Sequence, residues 1–553
     1  MIKKLIGLAA VVALLTGCAQ LPQSGAIGVG PDVSAGDNTD YLYYSPALPS
    51  DGATQQDIIS GFLSAGNGLQ FDYTVARSYL TLSEQTKWNP SDQVLVQDGA
   101  PSFDYVTPES VRVIVKIVAT IDKYGAYLPA AAGTTRVLDF TFKKELGQWR
   151  ISSAPNLTML IHPNFQVVFK AFQAYFFDKN HKTLVPDVRW VPSRSSTATR
   201  LTQAVLHGPQ AWLAPALAET SGELRLRVNA VTVVDGVANI DLSAAAYKVS
   251  AKQLQYLKAE LKATLFQLSD VTAISISIDG SPQTIADIAA HVAESATGSP
   301  IVLTAQGLSQ IGSKTPIVGS QQVNAAIGTP AMDFALSAGQ ANLAVLNAYG
   351  AYIIDRGALA NQPKLIDSRE HLLSPVWDSE NYLWTVSTTV ASTWLATEAN
   401  GATSIVIAPA YSESNVKSFS ISPDGTRAAI ISVGKRSGLW IVPIIRKANG
   451  APAVLGEGYK VTYSQGAPKA ATWADSVHLA VLVRNADHSV RAIISMVGGE
   501  DSLFPAVSGA TSIAATISGP YLYARLADGT VVQSKNSIWS VVASNILAMH
   551  YPG

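Results

Sequence analysis

Residues 331–553 repeat themselves, and an internal repeat constrains a fold more tightly than any single motif. SPVWDSENYLWTVS (Ser374 to Ser387), FSISPDGTRAAIIS (Phe419 to Ser432) and AATWADSVHLAVLV (Ala470 to Val483) each read as strand, turn, strand. Weaker copies run from Met332 to Asn347 and from Ser512 to Leu526. The turns recur about every 40 to 50 residues, the length of one four-stranded blade. This predicts a β-propeller of about five or six blades. Ser422-Pro423-Asp424-Gly425 is the clearest turn, with proline presetting the first φ and glycine freeing the last. Blades bury their faces only against neighbours, so Trp377, Trp384, Trp440 and Trp473 are expected as core between blades.

At the other end of the chain, Met1-Ile2-Lys3-Lys4 precedes an apolar run from Leu5 to Leu15. That run falls short of the ~20 residues a membrane-spanning helix needs, so it reads as a secretory signal. It ends on Leu15-Thr16-Gly17-Cys18, which holds the only cysteine of the 553 residues. The tetrapeptide resembles a bacterial lipobox. Small residues let a signal peptidase reach the backbone, and the thiol can carry a thioether-linked diacylglycerol. At about 0.8 kcal/mol per buried CH₂, two or three acyl chains make attachment effectively permanent. Residues 1–18 are therefore expected to be signal and lipobox, with Cys18 lipidated and the mature chain on the outer face of the cytoplasmic membrane. With one cysteine there is no disulfide and no Cys-x-x-Cys site. Residues 19–50, rich in Gly, Ser, Pro and Asp, read as a tether.

The length exceeds what one core can hold, so several domains are expected. A 48% hydrophobic content argues against disorder over most of the chain. With 39 basic against 40 acidic residues there is no field to attract a polyanion, which argues against nucleic acid as a partner.

Residues 51–160 read as an α+β domain. Thr54 and Asp57 have capping-box spacing ahead of Ile58, Ile59, Phe62 and Leu63, and a second helical run carries Val75, Ala76, Tyr79 and Leu80. Strand signals follow at Val111 to Val118 and at Val137 to Phe142, the latter pairing with Trp149 to Ile151 across Gly147. Residues 161–195 form a bridging segment, with Phe165, Val168, Phe169, Phe172, Tyr175 and Phe176 at helical spacing and expected to clamp two domains together. Residues 196–298 read as helix, hairpin, helix, strand. Leu201, Val205 and Leu206 end at Gly208-Pro209, Leu224 to Val234 and Val237 to Leu242 flank Asp235-Gly236, Ser250 and Gln253 open a second capped helix, and Ile274 to Ile278 leads into Asp279-Gly280. Residues 299–330 read as a linker. Within it, Gly307 to Thr315 is spaced like a phosphate loop with one residue too many, and Pro316 follows where a helix should begin.

Chemistry is sparse. The eight histidines are scattered without ligand spacing, and no HExxH, Gly-x-Ser-x-Gly or second cysteine appears. No catalytic residue, metal ligand or cofactor site is assigned, and the chain is read as a non-enzyme.

FTFKKELGQWRIS resembles the closing hairpin of the NTF2-like fold, which implies a cone-shaped first domain. LTQAVLHGP, VVDGVANIDLS and ISISIDG are similar to the GerMN domain, with Gly208, Pro209, Asp235, Gly236, Asp241, Leu242, Ser243, Asp279 and Gly280 matching its hallmarks. The order of lipobox, NTF2-like domain, GerMN unit and propeller, with YFFDKNHKTLVPDVRWVP between the first two domains, resembles the LpqB lipoprotein family of actinobacteria. That resemblance implies a non-enzymatic accessory of a two-component system, contacting the extracytoplasmic part of an MtrB-like sensor histidine kinase and influencing envelope and cell-division signalling. The competing expectations are a cell-wall hydrolase using the propeller channel, which needs convergent carboxylates and an arginine there, and a sensor of envelope fragments using the first domain.

Overall fold

The computed structural model describes residues 46–553 except 67–72, 194–195, 314, 318–326, 357–362, 464–465, 517–521 and 536. Cys18 and the tether residues before Pro46 lie outside the described residues. From Pro46 to Gly553 the chain forms one compact unit.

The first module places helix Gln55–Ala65 against a curved sheet. Its strand order is Gln148–Ser153, Thr135–Glu145, Ser110–Asp122, Gln93–Gln97, Thr158–Ile161. Thr54 and Asp57 form the reciprocal cap, with Asp57 N donating to Thr54 Oγ1 at 3.2 Å and Thr54 N to Asp57 Oδ2 at 3.0 Å. Alternation along Ser110–Asp122 turns Val111, Val113, Val115 and Ile117 inward onto Phe62, Phe140 and Phe142. The closing hairpin pairs Phe142 with Ile151 and Lys144 with Trp149, as the sequence predicts.

The bridging segment departs from its expected helix. Only His162–Val168 is helical, and Phe169–Phe177 then pairs antiparallel with Thr183–Pro192. Both faces of this hairpin are covered, and Leu184 to Pro192 is buried without a break. A strand packed on both sides loses its alternation, so its apolar run mimics a helical stripe.

The second module has strand order Thr232–Val234, Val237–Leu242, Ala273–Ile278, Ser281–Pro282. The central pair is parallel, and helix Ala251–Leu265 makes the crossover such a pair requires. Asp235 and Gly236 (φ 50° and 77°) and Asp279 and Gly280 (φ 49° and 79°) adopt the left-handed turns their sequence calls for. The first strand is shorter than expected. Leu224 is buried, but the chain touches the sheet only at Leu226 opposite Leu242 and becomes a strand at Thr232.

The described residues form a closed ring of six blades. Inner strands Asp333–Leu336, Val376–Trp377, Ser414–Ile421, Ala467–Trp473, Ala510–Ala515 and Ala548–His550 neighbour one another in that order and return to the first. Residues 299–330, expected as a linker, instead hold the hairpin Ile301–Thr304 and Gly307–Gln310, which pairs with the C-terminal strand Ala548–His550. The ring is thus closed by strands from its two ends. The same hairpin disposes of the phosphate-loop spacing, because Gly307 to Gln310 is a strand and offers no helix N-terminus. Trp377, Trp384 and Trp473 are buried as predicted, while Trp440 is half-buried beneath the Arg436 guanidinium, 4.0 Å from its ring centroid.

Candidate interaction platform

The hairpin spanning Phe169 to Pro192 touches all three modules, and two charges in its apolar run hold it there. Asp187 and Arg189 lie two residues apart on one strand, so both side chains project from the same face. Each is almost wholly buried, and Arg189 Nη2 donates to Asp187 Oδ2 at 2.7 Å. The remaining bonds lead outward. Arg189 Nη2 also donates to Gly208 O at 3.1 Å, and Asp187 accepts from Gln210 N at 2.8 Å and Gln210 Nε2 at 2.6 Å, which ties in the second module. Toward the first module, Trp190 N donates to Gly125 O at 2.7 Å. Gly125 has φ +86°, and a Cβ there would meet Trp190 O at 2.9 Å, so both the conformation and the close approach require glycine. Tyr124 stacks on His207 with centroids 3.6 Å apart.

The propeller docks on the same hairpin. Trp190 Nε1 donates to Gly498 O at 3.0 Å, and Arg427 Nη1 to Pro186 O at 3.2 Å. Arg427 is itself buried, paired with Asp424 and lying over the Trp473 ring. Burial pushes the Asp424 carboxyl up, but Arg427 and the Thr426 and Ser422 hydrogen bonds outweigh it and hold its pKa below the ordinary value. Around the rim, His162 meets Glu500 at 2.7 Å, Lys182 meets Glu380 at 3.1 Å, and Trp212 packs edge-on to Tyr459 at 4.9 Å between centroids. A crevice of about 20 Å³ beside Asp122, Trp190 and Arg200 has room for roughly one water, so little empty space is left at this edge of the junction.

The repeated acidic turn residues are structural. Asp378 accepts from Tyr382 N and pairs with Arg446 at 2.7 Å, and Asp475 accepts from Val477 N and meets His478 at 2.8 Å, just as Asp424 binds Thr426 N and Arg427. Each aspartate closes the first turn of its blade. Among the described residues, the six inner strands carry two lysines, Lys417 and Lys469, and one carboxylate, Asp333. Its Oδ1 lies 2.7 Å from His550 Nε2 across the ring closure, and its Oδ2 accepts from Ser374 Oγ. Burial alone would lower the His550 pKa, but the facing carboxylate raises it above the usual histidine value.

The remaining residues singled out in the sequence occupy ordinary structural positions. Leu242 is buried, and Asp241 accepts from Gly280 N at 2.9 Å and pairs with the Arg227 guanidinium. Among the described residues no group of three His, Cys, Asp or Glu could hold a metal ion, and no helix is long and apolar enough to cross a membrane. The Asp187–Arg189 pair itself was missed. Two opposite charges two apart in VPDVRWVP, an otherwise apolar strand, were its only signal.

Family comparisons agree with this architecture. Residues 48–166 match the model described as "Lipoprotein LpqB, N-terminal domain", residues 173–284 match "Sporulation and spore germination", and residues 308–549 match "Lipoprotein LpqB beta-propeller domain". A lipoprotein LpqB of Thermobifida fusca is 31% identical over 294 residues, covering 50% of this chain and 46% of that protein, so the chain spans about half the length of that relative. A lipoprotein LpqB of Streptomyces avermitilis is 25% identical over 599 residues, covering 98% of this chain and 96% of that protein. Tandem GerMN domains of the sporulation protein GerM from Bacillus subtilis match 20% of this chain and 40% of that one at 18% identity, with a TM-score of 0.17 that is too low to bear on the fold. With both LpqB models matched in order around a GerMN unit, and a relative aligned from end to end, the chain belongs to the LpqB lipoprotein family.

Proposed function

We propose that this lipoprotein is a non-enzymatic accessory, held through Cys18 on the extracytoplasmic face of the cell membrane, that docks on the extracytoplasmic part of an MtrB-like sensor histidine kinase. The observation that carries the platform reading is the propeller channel. A glycosidase there would use a pair of carboxylates flanking the scissile bond, whereas Asp333 stands alone on the described inner strands and both its oxygens are engaged by His550 and Ser374. The kinase as partner comes from the family likeness. For a docking face we assign the end of the blades away from the junction. The junction uses the turns at Asp424 to Arg427, Glu380 and Gly498, so the opposite ends of the strands point outward. There Tyr349, Val390, Val433 and Leu547 are exposed apolar side chains of the kind that anchor an interface.

The test is recovery from detergent-solubilised membranes with the intact chain and with a Tyr349→Ala, Val390→Asp variant. The intact chain is expected to bring down a sensor kinase, and the variant at least tenfold less, the effect of losing about 1.4 kcal/mol of binding. Recovery of no kinase, together with turnover of a cell-wall substrate, would reverse the reading.

A further inference from the structure

Two features of the closing hairpin of the first module work against folding. Leu146 occupies the hairpin tip with φ 49° and is completely exposed. A left-handed turn position favours Gly, Asn or Asp, and other residues pay about 1 kcal/mol there. Behind the tip, Lys143 lies directly opposite Arg150 in the strand register, and like charges in that position repel. Neither cation has an ion-pair partner among the described residues. Arg150 Nη1 donates only to the neighbouring Trp149 O, and the Lys144 ammonium sits 5.0 Å above the Trp149 ring. Glu145 is the one carboxylate between Lys143 and Arg150. An exposed apolar tip flanked by three cations and one carboxylate suits a surface that is apolar inside and anionic outside.

The path of the chain points the same way. Gly52 N donates to Gln148 Oε1 at 2.8 Å, and Tyr79 OH to Ala47 O at 2.9 Å. The segment leading back to Cys18 therefore leaves the compact unit beside this tip, close to Leu48, which is also exposed. Fewer than thirty residues separate Cys18 from Pro46.

We propose that the hairpin tip from Lys143 to Arg150 rests on the anionic headgroup surface of the membrane that holds the chain, with Leu146 inserted into the interface. The inference builds on the lipid-anchor reading and gives the anchor a second job, which is to orient the molecule. Two lysines and one leucine bind weakly by themselves, but a tether raises their effective concentration at the bilayer.

The test uses Leu146→Cys carrying an environment-sensitive fluorophore. Cys18 is blocked by acylation in one arm. In the other, residues 1–18 are replaced by a polyhistidine tag bound to nickel-chelating lipid, so the tip is examined whether or not Cys18 is acylated. On vesicles of phosphatidylcholine mixed with phosphatidylglycerol, the probe should shift to the blue, while a probe at Ile538→Cys on the outer edge of the propeller should not. Lys143→Gln with Lys144→Gln, both exposed changes, should weaken the contact by about fivefold per lysine. A probe at 146 that behaves like the one at 538, or that responds equally on pure phosphatidylcholine, overturns the proposal in either arm. Failure of acylation alone would overturn only the anchor reading.

Discussion

Arg189→Ala should lower the stability of the chain by about 3–5 kcal/mol, because it strands Asp187 as a buried charge. The loss should exceed that of replacing both partners by Asp187→Asn with Arg189→Met, which leaves no uncompensated charge. A double-mutant cycle on denaturant midpoints measures the coupling between them. The effect should also spread. The guanidinium touches Gly208 O, and its partner holds Gln210, so amides near Gly125 and Gly498 should lose hydrogen-exchange protection along with those of the hairpin. Loss of stability confined to the second module would show that the hairpin does not join the three.

The second large effect concerns Glu260, on the crossover helix. Burial pushes its carboxyl up to about 7, against hydrogen bonds from Thr220 Oγ1 at 2.7 Å and Phe177 N at 3.0 Å. Both bonds fall on Oε1, while Oε2 is buried without a partner. The folded chain therefore holds a proton that the unfolded chain releases above the ordinary glutamate pKa of 4.5. Stability linked to this group is present in full below pH 4.5 and falls as pH rises to about 7, levelling off above it. Glu260→Gln, neutral at every pH, should match the parent chain near pH 4 and exceed it by roughly 3 kcal/mol at pH 8. Protection of helix Ala251–Leu265 in hydrogen exchange reports the difference locally. A gap that stays constant from pH 5 to pH 8 would mean that the carboxyl is already ionised in the folded chain.

What could be read in advance was short-range chemistry. Both capping boxes, the two Asp-Gly turns and the hairpin across Gly147 each depend on residues a few positions apart, and each stands where the spacing predicts. The propeller was legible because its blade turn recurs, and the aspartate in that turn proved to be a local cap at Asp378, Asp424 and Asp475. The features that escaped depend on distant partners. The strand Phe169–Phe177 looks helical because, apart from exposed Lys170, both its faces are buried or half-buried, and a period is clear only when one face is wet. The hairpin Ile301–Gln310 looks like a linker until it meets Ala548–His550 from the far end of the chain. Asp187 and Arg189 form a junction only once Gly208, Gln210 and Pro186 have been brought to them.

The hairpin Phe169 to Pro192 joins the three modules into one compact unit, which should hold them at a fixed separation. Beyond Cys18 the chain has no cysteine, so paired spin labels can be placed at will. Electron–electron distance measurements between a label at Asp139→Cys in the first module and one at Asp487→Cys in the propeller, both on exposed side chains, address it directly. A single narrow distance distribution is expected, broadening in the Arg189→Ala chain. A broad or multiple distribution in the parent chain would contradict it.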